Sequence, residues 1–280
     1  SSGRVFGSTH LRQVRPRSSA EMPVVVSTWS METVNAVWWL SVLTFTICSR
    51  PRCFATCSLI GVQMRPLAFA AMKLTFWVVA NCASDQPLGG FRAGIDRAGN
   101  VVSRTDTAHN AVLAAFFGQL AAFTGAKVWN ERRDKAVAFV SAMWQGSFYA
   151  SGTYDGALAA AFPVTTEAQT VPVLALRAGA QKAALDYVTS ALTTTDTPGS
   201  PNSALTANQT ATGVTFSDWS RRADPDQPIE PGLSRPDPDA VWYAGSAQLA
   251  AALMSRGNAG DRAAAFARLT TLVDVQAKFV

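Results

Sequence analysis

The regular helical pattern of this chain begins only near residue 90, and this change of character divides the sequence into two parts. Apolar residues recur at regular helical spacing in several segments of residues 91–280, and the pattern before them is less regular. Residues 1–90 carry eight Lys and Arg against three Asp and Glu, whereas residues 91–280 carry 16 of each. The four cysteines all precede the change: Cys48, Cys53, Cys57 and Cys82. We therefore predict an atypical N-terminal segment over residues 1–90, either a signal or anchor or a remnant, and a helical domain over residues 91–280 that must carry the function.

Charge and composition argue against several classes of function. The sequence pI near 9.3 would favour a nucleic-acid partner, but the excess charge comes from scattered arginines of the first part. The cysteines lack the C-x-x-C spacing of a zinc site, and the chain has only two histidines. The sequence also lacks the glycine-rich phosphate loops and the serine-hydrolase elbow. We expect no nucleic-acid partner, no metal and no cofactor.

Two apolar stretches lie in the first part. Residues 33–48 contain no charge, but they are shorter than a membrane span of about 20 residues. Residues 67–83 follow Met64 in the manner of a signal peptide, so a start at Met64 would make Cys82 a candidate for lipid attachment. The alternative is a pair of buried helices or a mistranslated upstream region. Export would place the protein outside the cell or in the cell envelope, and membrane contact through residues 33–83 is the lesser alternative.

The patterned part predicts a series of helices. A β-hairpin is expected first, over Phe91–Val102, around a turn at Arg97–Asn100. The apolar spacing then predicts helices over Thr105–Phe123, Val128–Gln145, Thr166–Arg177, Ala180–Leu192, Ala240–Ser255 and Asp261–Phe279. The segment Thr193–Asp239 is rich in Thr, Pro and Asp, and we expect it to form a long loop with little regular structure.

The order helix, short turn, helix, long loop occurs about three times. This order is typical of helical hairpins that stack into a toroid. We predict an all-α fold, a partial (α/α) toroid of helical hairpins with a small β-hairpin near residues 91–102. The long loops would then meet on one face, where a groove and its chemistry would lie, because functional residues concentrate on loops held by a rigid scaffold.

Several motifs follow one another in a characteristic order. The first long helix opens with TAHN, from Thr107 to Asn110, and the second is followed by GTYDG, which contains Asp155. Downstream come TEAQTVPVLAL, which contains Glu167, and DAVWYAGSAQLAAAL. In this order the motifs resemble the C-terminal half of a six-hairpin, (α/α)6-toroid glycosidase-like protein, over about residues 90–280. The resemblance implies a carbohydrate-directed protein, often secreted, with a groove that cleaves or binds an oligo- or polysaccharide.

The chain departs from that group at two positions. Members typically have T-E-H-N and W-F-E-G-T, where this chain has Ala108 and Ala244. Glycoside hydrolysis usually needs two carboxyl groups, and an alanine supplies neither. The departures favour an alternative, a non-catalytic glycan-binding protein or a degenerate remnant of such an enzyme. A sugar epimerase or isomerase is a third interpretation. Its chemistry would require two histidines near the groove, and the chain has only His10 and His109.

Three residues are our candidates for catalysis: Asp155, Glu167 and His109. The two carboxylates would do the acid and base work, and His109 would assist because the pKa of a histidine lies near neutrality. Each residue also has a structural alternative. Asp155 fits an ordinary Asp-Gly turn, and Glu167 would complement a helix dipole. His109 would form a capping cluster with Asp106.

Polar and aromatic residues at helix ends are candidates for contact with the sugar. The candidates are Asn110, Trp144, Tyr149, Tyr154, Gln169, Trp242 and Tyr243. Asn110 belongs to the motif that faces the groove in the resembling group, and Gln169 is expected to point the same way as Glu167. Aromatic faces suit stacking on the apolar face of a sugar ring, and the alternative is packing between hairpins. We expect most of the aromatic residues to be in the core and one or two to line the groove.

Overall fold

Three helical hairpins form most of the computed structural model, in which residues 73–158 and 163–279 are described. The helices in chain order are α1 (residues 73–82), α2 (Thr107–Thr124), α3 (Lys127–Ala142), α4 (Thr166–Leu176), α5 (Ala184–Ala191), α6 (Asp218–Arg221), α7 (Tyr243–Arg256) and α8 (Asp261–Phe279). A short 3-10 turn over Arg177–Gly179 separates α4 from α5. The expectation of a predominantly helical fold is confirmed.

Each hairpin consists of two helices that pack against each other: α2 with α3, α4 with α5, and α7 with α8. The first members, α2, α4 and α7, are called the leading helices below. The leading helices form a row, because α2 contacts α4 and α4 contacts α7. The hairpins are therefore stacked in sequence order.

Three clusters of buried residues follow this row. The first joins α1, α2 and α3, the second lies where α2, α3 and α4 meet, and the third joins α4, α5, α7 and α8. Their largest fully buried members are Phe91 and Phe117 in the first cluster, Phe139, Met143 and Tyr149 in the second, and Leu185, Leu192, Leu249 and Leu253 in the third. Burial of these apolar side chains is the main force that holds the hairpins together.

Local sequence explains several helix ends. Gly125, with φ 70°, ends α2 in the left-handed conformation that glycine adopts without steric cost, and Gly257, with φ 72°, ends α7 in the same way. At the start of α4, the hydroxyl of Thr165 accepts a hydrogen bond of 3.3 Å from the backbone N–H of Ala168. This bond satisfies one of the four N–H groups that a helix start leaves without an internal partner.

Short antiparallel strands lie in the connections between hairpins. The first sheet has the order β1 (Thr105–Asp106), β2 (Gly152–Tyr154) and β3 (Ala157–Leu158). The second sheet pairs β4 (Thr193–Asp196) with β5 (Ala211–Val214), so that Thr193 lies opposite Val214 and Asp196 opposite Ala211. The first sheet joins segments that are far apart along the chain, and the second joins two segments separated by a long loop.

The connections bear on two expectations. The hairpin predicted near residues 91–102 is present as one antiparallel bridge between Ile95 and Val101, around a turn in which the Asp96 side chain accepts hydrogen bonds from the backbone N–H groups of Ala98 and Asn100. The segment Thr193–Asp239 contains β4, β5 and α6 rather than a loop alone. The threonines of β4 are β-branched and therefore suit a strand.

A repeated hydrogen-bond arrangement fixes each leading helix to a short segment before it. These linking segments are residues 91–93, 149–151 and 214–216. The fourth residue of each leading helix carries a buried polar side chain, and these residues are Asn110, Gln169 and Ser246. Each accepts a hydrogen bond from the first N–H of its linking segment, at 2.8 Å from Phe91, 2.7 Å from Tyr149 and 3.0 Å from Val214.

Two linking segments also bind the leading helix that comes before them. The backbone N–H of Thr107, the first residue of α2, donates to the carbonyl of Ser151 at 2.9 Å. The backbone N–H of Thr166, the first residue of α4, donates to the carbonyl of Phe216 at 2.9 Å. The second linking segment therefore joins the first turns of α2 and α4, and the third joins those of α4 and α7. The N-terminal ends of the three leading helices lie together as a result.

Residues 73–90 pack against the hairpins. Val78 and Val79 of α1 join the first core cluster, and Cys82 is a free thiol of which 3% is exposed. Burial raises the pKa of the Cys82 thiol. A lipid on Cys82 would need room that this packing does not leave. Met64, the stretch 33–48 and the remaining three cysteines lie outside the described residues, and the division at residue 90 stays a prediction.

All described residues belong to one compact unit. Within residues 73–158 and 163–279, none of the helices combines the length and the apolar character that crossing a bilayer would require. Of the apolar stretch 67–83, residues 73–82 form α1.

We predict that Asn110→Ala destabilises the fold by roughly 2–4 kcal/mol, because it leaves the buried N–H and C=O of Phe91 without their partner. Urea unfolding followed by circular dichroism measures the change. Asn258→Ala, at an exposed position before α8, is the matched control and should shift stability by less than about 0.5 kcal/mol. Equal unfolding midpoints for the two variants would show that the Asn110 bonds add no net stability.

Candidate functional site

Asp106, His109 and Arg104 form a charged cluster at the start of α2. The His109 Nδ1 atom lies 3.1 Å from an Asp106 carboxylate oxygen, and Arg104 Nε lies 2.9 Å from the other. Asp106 is the residue before α2, but its side chain caps no helix N–H. The carboxylate is therefore used to hold the imidazole and the guanidinium rather than to start the helix.

The surroundings shift the pKa values within this cluster. Desolvation alone would raise the pKa of Asp106, but the attraction and hydrogen bonds of His109 and Arg104 outweigh it, so its pKa lies below the ordinary value. Desolvation alone would lower the pKa of His109, but Asp106 and then Glu167 outweigh it, and its pKa is raised. The His109 side chain is 45% exposed, so a ligand can reach it.

Glu167 reaches the same place from α4. It is the second residue of α4 and is half-buried. Desolvation raises the pKa of Glu167 above the ordinary value, and the attraction of His109 and a hydrogen bond with Gln248 offset this only in part. The site thus holds one carboxyl group with a raised pKa, that of Glu167, and another with a lowered pKa, that of Asp106. Two carboxyl groups whose pKa values are moved apart are the usual basis of paired acid and base roles.

Gln248 brings the third leading helix into the site. Its side chain is 8% exposed, and its Oε1 atom accepts a hydrogen bond of 3.2 Å from the hydroxyl of Thr170 on α4. Gln248 also lies close enough to Glu167 to lower the pKa of that carboxyl group. Gln248 is not among the candidates predicted from the sequence, although a glutamine among the apolar residues of α7 is the kind of buried polar group that needs a partner.

The structure brings His109 and Glu167 together, but not Asp155. Asp155 and Gly156 form the two-residue turn between β2 and β3, with φ values of 49° and 78°. Positive φ at both positions is typical of the Asp-Gly hairpin turn. Asp155 is exposed, and the groups that shift the pKa values of Glu167, His109 and Asp106 do not include it. The structural interpretation of Asp155 is therefore the better one.

Three of the predicted sugar contacts are core residues. Asn110 and Gln169 are 0% exposed, and both use their amides to bind linking segments. Tyr149 is 1% exposed, and its hydroxyl accepts a hydrogen bond of 2.7 Å from the backbone N–H of Gln181. Side chains without accessible surface cannot contact a ligand, so these three residues are not part of the candidate site.

The remaining aromatic candidates differ in exposure. Trp144 is half-buried, with its ring 5.0 Å from that of Tyr149 in an edge-to-face arrangement within the second core cluster. Tyr154 is 48% exposed on β2. Trp242 and Tyr243 are half-buried at the start of α7, and Tyr243 has a raised pKa because of desolvation and the nearby charge of Asp196. Only Trp242 and Tyr243 lie at the start of a leading helix, where the charged cluster is.

Comparison with known proteins gives no assignment, since neither a family model nor a curated protein matches this chain. No three His, Cys, Asp or Glu side chains within residues 73–158 and 163–279 are placed to hold a metal ion. The candidate site therefore has to be interpreted from its own side chains, which are Asp106, His109, Arg104, Glu167 and Gln248.

We predict that Asp106→Asn lowers the pKa of His109 below the ordinary value of a histidine, because it removes the negative charge that outweighs desolvation. NMR titration of the imidazole signals measures this pKa. The chain contains only one other histidine, His10, so its signal in the same spectra is the control. An unchanged His109 pKa in the variant would contradict the assigned pairing.

Proposed function

We propose that the row of hairpins is part of an (α/α) toroid and that the chain is a carbohydrate-directed, glycoside hydrolase-like protein. The glycan would lie across the joined N-terminal ends of the leading helices. The observation that carries the proposal is the proximity of Glu167 to the Asp106–His109 pair at these helix ends. The order of motifs along residues 90–280 supports the choice of a glycan as ligand.

Glu167 is the general acid in this proposal. Its raised pKa favours the protonated form, which donates a proton to the glycosidic oxygen as the bond from that oxygen to the anomeric carbon breaks. A water molecule attacks the anomeric carbon, and neutral His109 accepts the proton that this water loses. Asp106 holds Nδ1 of His109 and stabilises the imidazolium that forms, as the carboxylate does in other acid–base triads.

A non-catalytic glycan-binding protein is the second candidate. Ala108 and Ala244 are the second residues of α2 and α7 and therefore correspond in position to Glu167, the second residue of α4. Two of the three equivalent positions thus lack a carboxyl group. This candidate predicts glycan binding without turnover, and Ala244→Glu would then be the change that tests whether a second carboxyl group restores cleavage.

We predict that Glu167→Gln lowers the rate of glycoside cleavage by at least about 100-fold, because an amide cannot donate the proton. Release of reducing ends from a panel of polysaccharides measures the rate, and circular dichroism checks that the fold is kept. Glu131→Gln, on the exposed face of α3, is the matched control and should keep full activity. Turnover that survives in Glu167→Gln would exclude Glu167 as the acid. Binding with no turnover in the unmodified chain would favour the second candidate.

We predict a bell-shaped dependence of the cleavage rate on pH. Activity needs neutral His109 and protonated Glu167 together, so one limb of the profile reports the pKa of His109 and the other reports that of Glu167. Asp106→Asn lowers the pKa of His109, so the limb that reports His109 should move to lower pH. A rate profile that the variant leaves in place would contradict the role of His109.

A further inference from the structure

Phe216 is an exposed aromatic residue on a rigid part of the backbone, and the sequence analysis did not single it out. It lies in the third linking segment, where its neighbours Thr215 and Ser217 are each 2% exposed but Phe216 is 45% exposed. The Phe216 ring therefore faces outward, while its two neighbours are buried.

Four interactions hold this backbone in place. The carbonyl of Phe216 accepts the N–H of Thr166, and the carbonyl of Thr215 accepts the Thr166 hydroxyl at 2.7 Å. The N–H of Thr215 donates to the carbonyl of Leu192 at 2.9 Å, and Ser217 pairs with Thr165 in a β-bridge. The ring therefore stands on a fixed backbone that is bonded to the residue directly before Glu167.

Trp242 supports the Phe216 ring from the side. The two ring centroids are 5.2 Å apart, and the rings meet edge to face at 73°. The backbone N–H of Trp242 donates to the carbonyl of Val214 at 2.7 Å. A Cβ atom at Gly245 would overlap the indole, so only glycine at this position lets the indole lie where it does. The pair thus forms a preorganised aromatic surface between the starts of α4 and α7.

We infer that Phe216 and Trp242 form a stacking platform for one sugar ring of a glycan bound beside Glu167, an inference that rests on the proposed function. A pyranose ring with equatorial hydroxyl groups presents C–H bonds on its flat faces, and these bonds carry slight positive charge. The face of an aromatic ring carries slight negative charge and attracts them. A platform that is already fixed loses little conformational freedom when the ligand binds.

Binding is measured by affinity electrophoresis in native gels that contain xylan, hydroxyethylcellulose, mixed-linkage β-glucan or pectin. The Glu167→Gln background removes turnover. In that background, Phe216→Ala should weaken binding about tenfold, which corresponds to about 1.4 kcal/mol, and Phe216→Leu should weaken it as well because Leu keeps the apolar character but lacks the ring face. Phe216→Tyr should retain the affinity.

Phe123→Ala is the matched control, because Phe123 is 76% exposed at the C-terminal end of α2, away from the candidate site. It should leave binding unchanged. If the starting protein binds a polysaccharide and Phe216→Ala or Phe216→Leu binds it equally well, the platform is wrong while the proposed function stands. If the unmodified chain neither binds nor cleaves any of the polysaccharides, the proposed function and the platform are both wrong.

Discussion

The candidate site depends on the buried polar side chain at the fourth position of each leading helix. Asn110, Gln169 and Ser246 each accept a backbone N–H from a linking segment, and all three are at most 1% exposed. A buried hydrogen bond is costly to leave unmade because neither group can turn to water. The bonds therefore fix the rotation and height of each helix against the segment before it. The second and third residues of these helices, which include Glu167 and His109, take their positions from this constraint.

The same constraint gives the three leading helices equivalent positions, but the side chains at these positions differ. The three leading helices present equivalent positions, yet only α4 has a carboxyl group at its second residue, while α2 has Ala108 and α7 has Ala244. The charge of the site comes instead from Asp106 and Arg104, just before α2, and from His109. Glu167 therefore has the nearby imidazole and the Gln248 amide as its main polar neighbours, and desolvation dominates its pKa. The pKa of Glu167 is raised as a consequence.

Apolar spacing was enough to predict most helices, because each hairpin buries a wide face and the turns after Thr124 and Arg256 contain glycine. It was insufficient for the connections, since β4 and β5 form through pairing between segments 14 or more residues apart, which no local pattern records. For the site, His109 and Glu167 were predicted together, whereas Asn110 and Gln169 were predicted as ligand contacts and lie in the core. A polar residue that binds the backbone and one that faces a groove occur at the same helix positions in a sequence. Only burial distinguishes the two kinds of residue, and the burial of Asn110 and Gln169 depends on the linking segments that bind them.

The contacts of Asp106 also limit the kind of cleavage that the proposed site could perform. A retaining glycosidase needs a second carboxylate that is free to bond to the anomeric carbon. Asp106 bonds both His109 and Arg104, and its side chain is only 18% exposed, so an attack by its oxygen would break two ion pairs. His109 contacts Asp106 through Nδ1, and its side chain is 45% exposed. Deprotonation of a water molecule by His109 therefore requires the least rearrangement, and the direct displacement that follows would invert the anomeric centre.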